Sequence, residues 1–265
     1  MSNEILQEIK FYNSIVFMFN IIHVIIVIGC DNMKPRIGIV ARPMLFDDKP
    51  RWFVTDFYRK ACVLSGGNPF MILPVQDALY NTIKSSEMVK MTEDEKVMLF
   101  DQLSLCDGIV MPGGNKMFEH DFLILEYAIE NDIPILGICL GMQIMANLGR
   151  VPNNIKIENK RNHNTDGEDY EHEVIIDRES ILYDIVGKEK IMVNSKHSME
   201  VQSSDRYKTV AVSDDGIIEA LEFPNSSFNI GVQWHPEMMY SFDDGSRLIW
   251  NKFIDSSKEF SRKNN

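Results

Sequence analysis

The sequence has little of several things that mark large classes of protein. It has four cysteines in 265 residues, Cys30, Cys62, Cys106 and Cys139, with no CxxC pair and no recognised metal-ligand spacing. That argues against a disulfide-stapled secreted scaffold or a zinc ribbon and for a reduced, cytoplasmic chain. Basic residues are scarce, 27 Lys and Arg against 39 Asp and Glu, for a formal net charge of −12. Nucleic acid and anionic membrane both demand clustered cations, so neither is the expected partner and a small molecule is. There is no internal repeat and no low-complexity linker, which points to one domain. The six histidines are scattered, and Asn225-Ser226-Ser227, a formal glycosylation sequon, carries no meaning in a reducing compartment.

No apolar run reaches the roughly 20 residues of a membrane span. The longest candidate, IVFMFNIIHVIIVI at 15–28, is broken by Asn20 and His23. The stretch before it carries Glu4, Glu8 and only Lys10, a poor start for a signal peptide. Residues 1–32 differ in texture from the rest, and Met33-Lys34-Pro35-Arg36 reads as a natural beginning, so the domain is expected over 33–262. The extension is read as a mis-assigned upstream start or an amphipathic, oligomer-forming arm.

What is present is ordinary globular composition, 45% hydrophobic and 25% charged, enough for a sizeable core. From Arg36 short apolar runs alternate with helical periodicity. RIGIVA (36–41), FMILP (70–74), DGIVMPGG (107–114) and PILGIC (134–139) read as strands. Helices are expected over 53–65, 93–104, 118–131 and 140–149. This alternation predicts an α/β fold, an open and mostly parallel sheet of flavodoxin-like type with helices on both faces. The second half turns to closely spaced segments, HEVII, SMEVQ, YKTVAVS, GIIEALEF and FNIGVQW, expected as an antiparallel extension of that sheet. A closing helix is expected over 243–260.

The chemistry concentrates in two segments. Gly137-Ile138-Cys139-Leu140-Gly141 has the form GxCxG, the cysteine counterpart of a nucleophile elbow. Such a turn needs neighbours without a Cβ and places the thiol at a helix N-terminus, where thiolate is favoured. GVQWHPE (231–237) supplies a base and its orienter. Pro236 is expected to keep this run extended, so that His235 and Glu237 face the same side. The amides of Leu140 and of Gly113 and Gly114, in the loop after a strand, are candidate oxyanion donors.

A rival constellation lies at 162–173, NHNTDGEDYEHE. Asn162, Asn164, Asp166, Gly167 and Glu173 fall on calcium-loop positions. The first is Asn where Asp is expected, and strand-like HEVII follows where a helix is required. A solvated acidic loop is the expectation. His163 and His172 show no recognised ligand spacing, so no metal and no cofactor are predicted.

Together the two motifs resemble the class I glutamine amidotransferase superfamily, GICLGMQ (137–143) matching its nucleophile motif and GVQWHPE its histidine–glutamate motif. The resemblance implies Cys139 as nucleophile, His235 as base, Glu237 as orienter, a γ-glutamyl thioester, and Gln143 near the substrate. PRIGIVARP (35–43), FYRKACVLSGGNPFMILP (57–74), CDGIVMPGG (106–114) and VNSKHSMEV (193–201) resemble the free-standing γ-glutamyl-γ-aminobutyrate hydrolase branch. Three features depart from that branch: Leu140 replaces an arginine, Lys196-His197 replaces paired histidines, and its glycine-rich stretch is reduced to ANLGRVPNN (146–154).

The resemblance therefore implies a hydrolase of small γ-glutamyl amides. With no synthase domain following in the sequence, the amine is expected to leave free. The alternatives are a glutaminase subunit feeding ammonia to a separate synthase, a hydrolase of folate-type γ-glutamyl chains, and a non-catalytic binding protein on the same fold. A homo-oligomer is compatible with each.

Overall fold

The computed structural model describes residues 34–47, 49–76, 88–158, 162–224 and 226–264. The expectations for residues 1–32 lie outside these. The chain runs β1 (Arg36–Val40), β2 (Arg42–Phe46), β3 (Lys49–Phe53), α1 (Asp56–Leu64) and β4 (Asn68–Ile72). It continues through α2 (Glu93–Leu103), β5 (Gly108–Met111), α3 (Glu119–Glu130), β6 (Ile135–Ile138) and α4 (Leu140–Ala146). Then follow β7 (Asn154–Lys156), β8 (His172–Ile176), α5 (Ile181–Val186), β9 (Lys190–Val193) and β10 (Met199–Val201). The last elements are β11 (Lys208–Ser213), β12 (Ile218–Glu222), β13 (Asn229–Val232), α6 (Pro236–Met239) and α7 (Asp244–Asn264).

Nine strands form one sheet in the order β4-β1-β5-β6-β13-β12-β11-β8-β9. The first five are mutually parallel and the remaining neighbours antiparallel. The expected α/β sheet with an antiparallel extension is therefore what forms. Parallel strands covered by helices on both faces must be apolar throughout, and β5, β6 and β13 are fully buried. Their side chains alternate between two cores. Val110 and Leu136 pack with Tyr58, Trp250 and Phe253 on one face. Ile109, Met111 and Ile135 pack with Leu99, Phe122 and Met142 on the other.

Local signals set the helix ends. Thr92 and Glu95 close a capping box at α2. Ser180 caps α5 through the Tyr183 N–H, and Gly187 ends it in the left-handed conformation.

Three expectations need correction, and two elements had no expectation. SMEVQ does not join the main sheet: β10 pairs with β7 as a separate two-stranded ribbon. The helix expected from residue 53 begins at Asp56, because Phe53 completes a β2–β3 hairpin opposite Arg42. The helix expected to 149 ends at Ala146 and gives way to a 3-10 turn in which Gly149 has φ +75°. Finally β9 and α5 carry no periodicity long enough to have been read from sequence.

Candidate active site

Three adjacent parallel strands deliver the site to one edge of the sheet. β5 ends in Pro112-Gly113-Gly114, β6 in Cys139, and β13 leads through Gln233 and Trp234 to His235. Ligands of open α/β sheets bind beyond the carboxyl ends of such strands.

Cys139 sits at the junction of β6 and α4 with φ 54° and ψ −105°. A non-glycine residue rarely adopts positive φ, and holding it there costs on the order of 1–3 kcal/mol. The surroundings enforce it. A Cβ on Gly141 would lie 1.9 Å from the Met111 carbonyl oxygen, and one on Gly137 would lie 2.9 Å from the Gly141 backbone. The elbow glycines are thus required by close backbone approach, as the motif predicts. The Cys139 N–H donates to the Val232 carbonyl at 2.8 Å, tying the elbow to β13.

His235 lies against this thiol, and its Nδ1 stands 2.7 Å from Glu237 Oε1. The expected juxtaposition is present, but its backbone cause differs from the extended run anticipated. Pro236 occupies the first position of α6, where its fixed φ and missing N–H suit a helix start. Glu237 therefore reaches back to His235 from the first turn of a short helix. Asn194, fully buried, clamps the histidine backbone: its Oδ1 accepts the His235 N–H at 2.8 Å and its Nδ2 donates to the His235 carbonyl at 3.2 Å.

The electrostatics follow from burial and pairing. Burial alone pushes the Cys139 thiol up, but the charge and hydrogen bond of His235, with a contribution from His197, bring it below the ordinary value. Burial alone lowers His235, but Glu237 and Cys139 outweigh it and hold the imidazole well above its usual range, at about 10. Each group thus favours the charged form of the other, the thiolate–imidazolium pairing in which a cysteine attacks carbonyl carbon.

The oxyanion side differs in one respect from expectation. The Gly113 N–H donates to Tyr58 Oη at 2.9 Å, so a phenol from α1 already takes that amide. Tyr58 also faces Glu237, and burial of the ring together with that charge raises the phenol well above its normal range. The Leu140 N–H, first in α4, has no intrahelical acceptor, and it and the Gly114 amide stay as candidate oxyanion donors. The loop is braced from below: Arg42, buried, donates to the Pro112 carbonyl at 3.1 Å and pairs with Asp121 at 2.6 Å.

Gln143 lies one turn into α4, its N–H bonded to the Cys139 carbonyl. Its side-chain amide is engaged by Gln233 at 3.1 Å and Asn154 at 2.9 Å. In the calcium-like loop Glu173 pairs with Lys190, and β8 follows as expected. Tyr58, Arg42 and Asn194 lie in segments that resemble the hydrolase branch, yet no sequence signal marks them individually.

A model of the peptidase C26 family matches residues 35–237. The chain belongs to the peptidase C26 family. Both motifs and the three strands that carry them fall within the match. A glutamine amidotransferase-like protein of Rickettsia prowazekii (strain Madrid E) is 26% identical, covering 85% of this chain and 98% of that one. The CTP synthase of Porphyromonas gingivalis (strain ATCC BAA-308 / W83) is 31% identical over 62% of this chain. The match spans only 36% of that synthase. Among solved structures, the Trypanosoma brucei CTP synthase glutaminase domain with bound acivicin superposes with a TM-score of 0.58. It is 16% identical and covers 85% of this chain and 94% of that one. Thermotoga maritima PurLQS superposes at 0.52, again at 16% identity, over 88% and 100%. This peptidase C26 member thus has a glutamine amidotransferase-like fold. No helix among the described residues is long and apolar enough to cross a membrane.

Proposed function

We propose that this peptidase C26 member hydrolyses the γ-glutamyl amide bond of a small γ-glutamyl compound through a thioester on Cys139. The observation that carries the reading is the alignment of Cys139, His235 and Glu237 at one strand edge, beside an amide-lined loop. In the first step the Cys139 thiolate attacks the γ-carbonyl carbon, and the developing oxyanion receives hydrogen bonds from the Leu140 and Gly114 amides. His235, held by Glu237, gives its Nε2 proton to the leaving amine, the C–N bond breaks, and a γ-glutamyl thioester remains. Water then attacks the thioester with His235 as base, the C–S bond breaks, and glutamate leaves as the thiolate is restored.

The resemblance of four segments to the γ-glutamyl-γ-aminobutyrate hydrolase branch supports an amine half that is a small amine or amino acid. Gln143 is the proposed contact to the glutamyl moiety, which would share the bonds it now makes to Gln233 and Asn154. Cys62, Cys106 and Cys139 are free thiols, which suits a reducing, cytoplasmic setting. A second reading, a glutaminase subunit supplying ammonia to a separate synthase, draws on the CTP synthase relatives and on Leu140 following the nucleophile.

Amine release from glutamine, γ-glutamyl-γ-aminobutyrate, γ-glutamyl-putrescine and γ-glutamyl dipeptides, with Cys139→Ala as control, tests both. Cys139-dependent turnover of one amide with glutamine poor supports the hydrolase. Weak glutamine hydrolysis stimulated by a synthase supports the subunit. No turnover and no covalent labelling of Cys139 by acivicin leaves only a binding protein.

A further inference from the structure

Behind the loop that faces the nucleophile lies a second cluster, which reaches the reaction above only through the influence of His197 on Cys139. His163, His172, His197 and Glu219 are all buried, the carboxylate fully so. They come from four places in the chain: the 162–167 loop, the start of β8, the loop before β10, and β12. Three imidazole nitrogens converge on one carboxylate oxygen. His197 Nε2 stands 3.5 Å from Glu219 Oε1, and His163 Nδ1 and His172 Nε2 each stand 3.6 Å from it. His172 Nε2, His197 Nε2 and both Glu219 oxygens have no hydrogen-bond partner.

The other nitrogen of each ring explains which way the lone pairs point. His197 Nδ1 is 3.0 Å from the Met199 carbonyl and His172 Nδ1 is 3.3 Å from the Glu173 carbonyl. A carbonyl only accepts, so each of these nitrogens carries the proton, and a neutral ring turns its lone pair toward Glu219. His163 Nε2 is 3.1 Å from Asp215 Oδ2, which places its proton there in the same way. Its Nδ1 stands 3.1 Å from Ser195 Oγ, whose own proton goes to the His163 carbonyl at 2.9 Å, so a metal on Nδ1 would take the place of the bond that nitrogen makes to Ser195. Neutral rings at His172 and His197 would thus aim two lone pairs at a buried carboxylate, with His163 Nδ1 beside them, an arrangement that repels unless a cation sits between them.

We propose that this cluster is a binding site for one zinc-like divalent cation, held by His163 Nδ1, His197 Nε2 and Glu219, with His172 Nε2 at its edge. The ligand atoms of the first three lie within 4.8 Å of one another. Metal–ligand bonds of about 2.0–2.1 Å in tetrahedral geometry separate ligand atoms by roughly 3.4 Å, close to the distances to Glu219 Oε1 found here. Imidazole nitrogens with one carboxylate select zinc, cobalt or nickel over calcium or magnesium. Outer acceptors on the second ring nitrogens, a carboxylate and backbone carbonyls, are the usual companions of metal-bound histidines.

The site joins β12 to the loops at 162–167 and 194–198. His197 follows Lys196, whose carbonyl lies 3.8 Å from Cys139 Sγ. The cation therefore fixes the wall opposite the nucleophile, and its loss is expected to loosen that wall.

The test uses the full chain carrying Cys139→Ala, so that the nucleophile adds no thiolate ligand, stripped with a chelator and titrated with Zn2+ and separately with Co2+. The expected result is one equivalent bound, a higher Tm with Zn2+, and visible cobalt bands of a four- or five-coordinate nitrogen–oxygen site. Glu219→Gln is expected to abolish the cobalt bands. Asp215→Asn, at a partly exposed position, is expected to weaken binding by about 10–100-fold while the chain stays folded. No stoichiometric uptake, a Tm indifferent to Zn2+ and chelator, or cobalt binding unchanged in a folded Glu219→Gln chain would overturn the site. Any of these would leave buried protons as the cation. If Glu219→Gln does not fold, the titration of the parent chain and of Asp215→Asn decides.

Discussion

Tyr58 Oη accepts the Gly113 N–H at 2.9 Å while the same phenol faces Glu237. One side chain from α1 thus links the loop expected to hold the oxyanion to the carboxylate that orients His235. Tyr58→Phe keeps the ring and removes the link. It leaves a buried N–H without its partner, which costs about 1–3 kcal/mol of stability. Urea denaturation should show that loss, and kcat/KM should fall while KM changes little, because the loop geometry and not substrate contact is altered.

Glu237→Gln tests the orienter. An amide keeps the shape but no longer stabilises the imidazolium. Turnover is expected to fall by about 10²–10⁴-fold, the range over which a positioned acid–base group contributes. Acivicin labelling of Cys139 should slow in parallel, since the thiolate loses its counterion. Labelling at the parent rate would remove Glu237 from the mechanism.

The pH profile follows from the two shifts. Cys139 is held below the ordinary thiol value, so kcat/KM should rise through an acid limb placed lower than a free cysteine allows. His235 is raised to about 10, so the imidazolium persists through neutrality and the alkaline limb falls near that pH. Removing the Glu237 charge lowers the histidine, and the alkaline limb of Glu237→Gln should therefore move to lower pH. A limb that stays in place would contradict this pairing.

Two arginine–aspartate pairs should separate by burial. Arg42 and Asp121 are both within the core, and Arg42→Ala strands a buried carboxylate, at an expected cost of about 3–5 kcal/mol. The Arg36 side chain is 41% exposed beside Asp107. Asp107 is buried too, but Arg36→Ala should cost less than Arg42→Ala, because solvent screens the Arg36 guanidinium and the residue 36 backbone N–H, 2.6 Å from Asp107, remains. Chemical denaturation of the two variants gives the comparison directly.

Gly141→Ala would set a Cβ 1.9 Å from the Met111 carbonyl oxygen, so α4 must move away from β5. Since Cys139 rides on the same turn, a lower Tm and loss of Cys139 labelling are expected together. Gly187→Ala, at a left-handed helix end with open space around it, should lower Tm slightly and leave labelling intact.

The sequence by itself determined the sheet class, the elbow and the histidine–glutamate pair, because each depends on short-range pattern. Alternating apolar runs and helical periods specify parallel strands under helices. GxCxG and WHPE carry the spacing their turns require within a few residues. Where the local cause is ambiguous, structure departs from pattern: Pro236 starts a helix instead of extending a strand, and β10 forms a separate ribbon although its pattern is that of any other strand. Tertiary structure alone decided which distant side chains meet. Tyr58, Arg42 and Asn194 reach the site across 41 to 79 residues of chain, by hydrogen bonds and an ion pair that leave no periodic trace. His163, His197 and Glu219 converge only because β12 lies one strand from β13 and the two loops fold over it. Spacing along the chain cannot reveal such a cluster, since its geometry is set by packing between elements and not by the residues between its members.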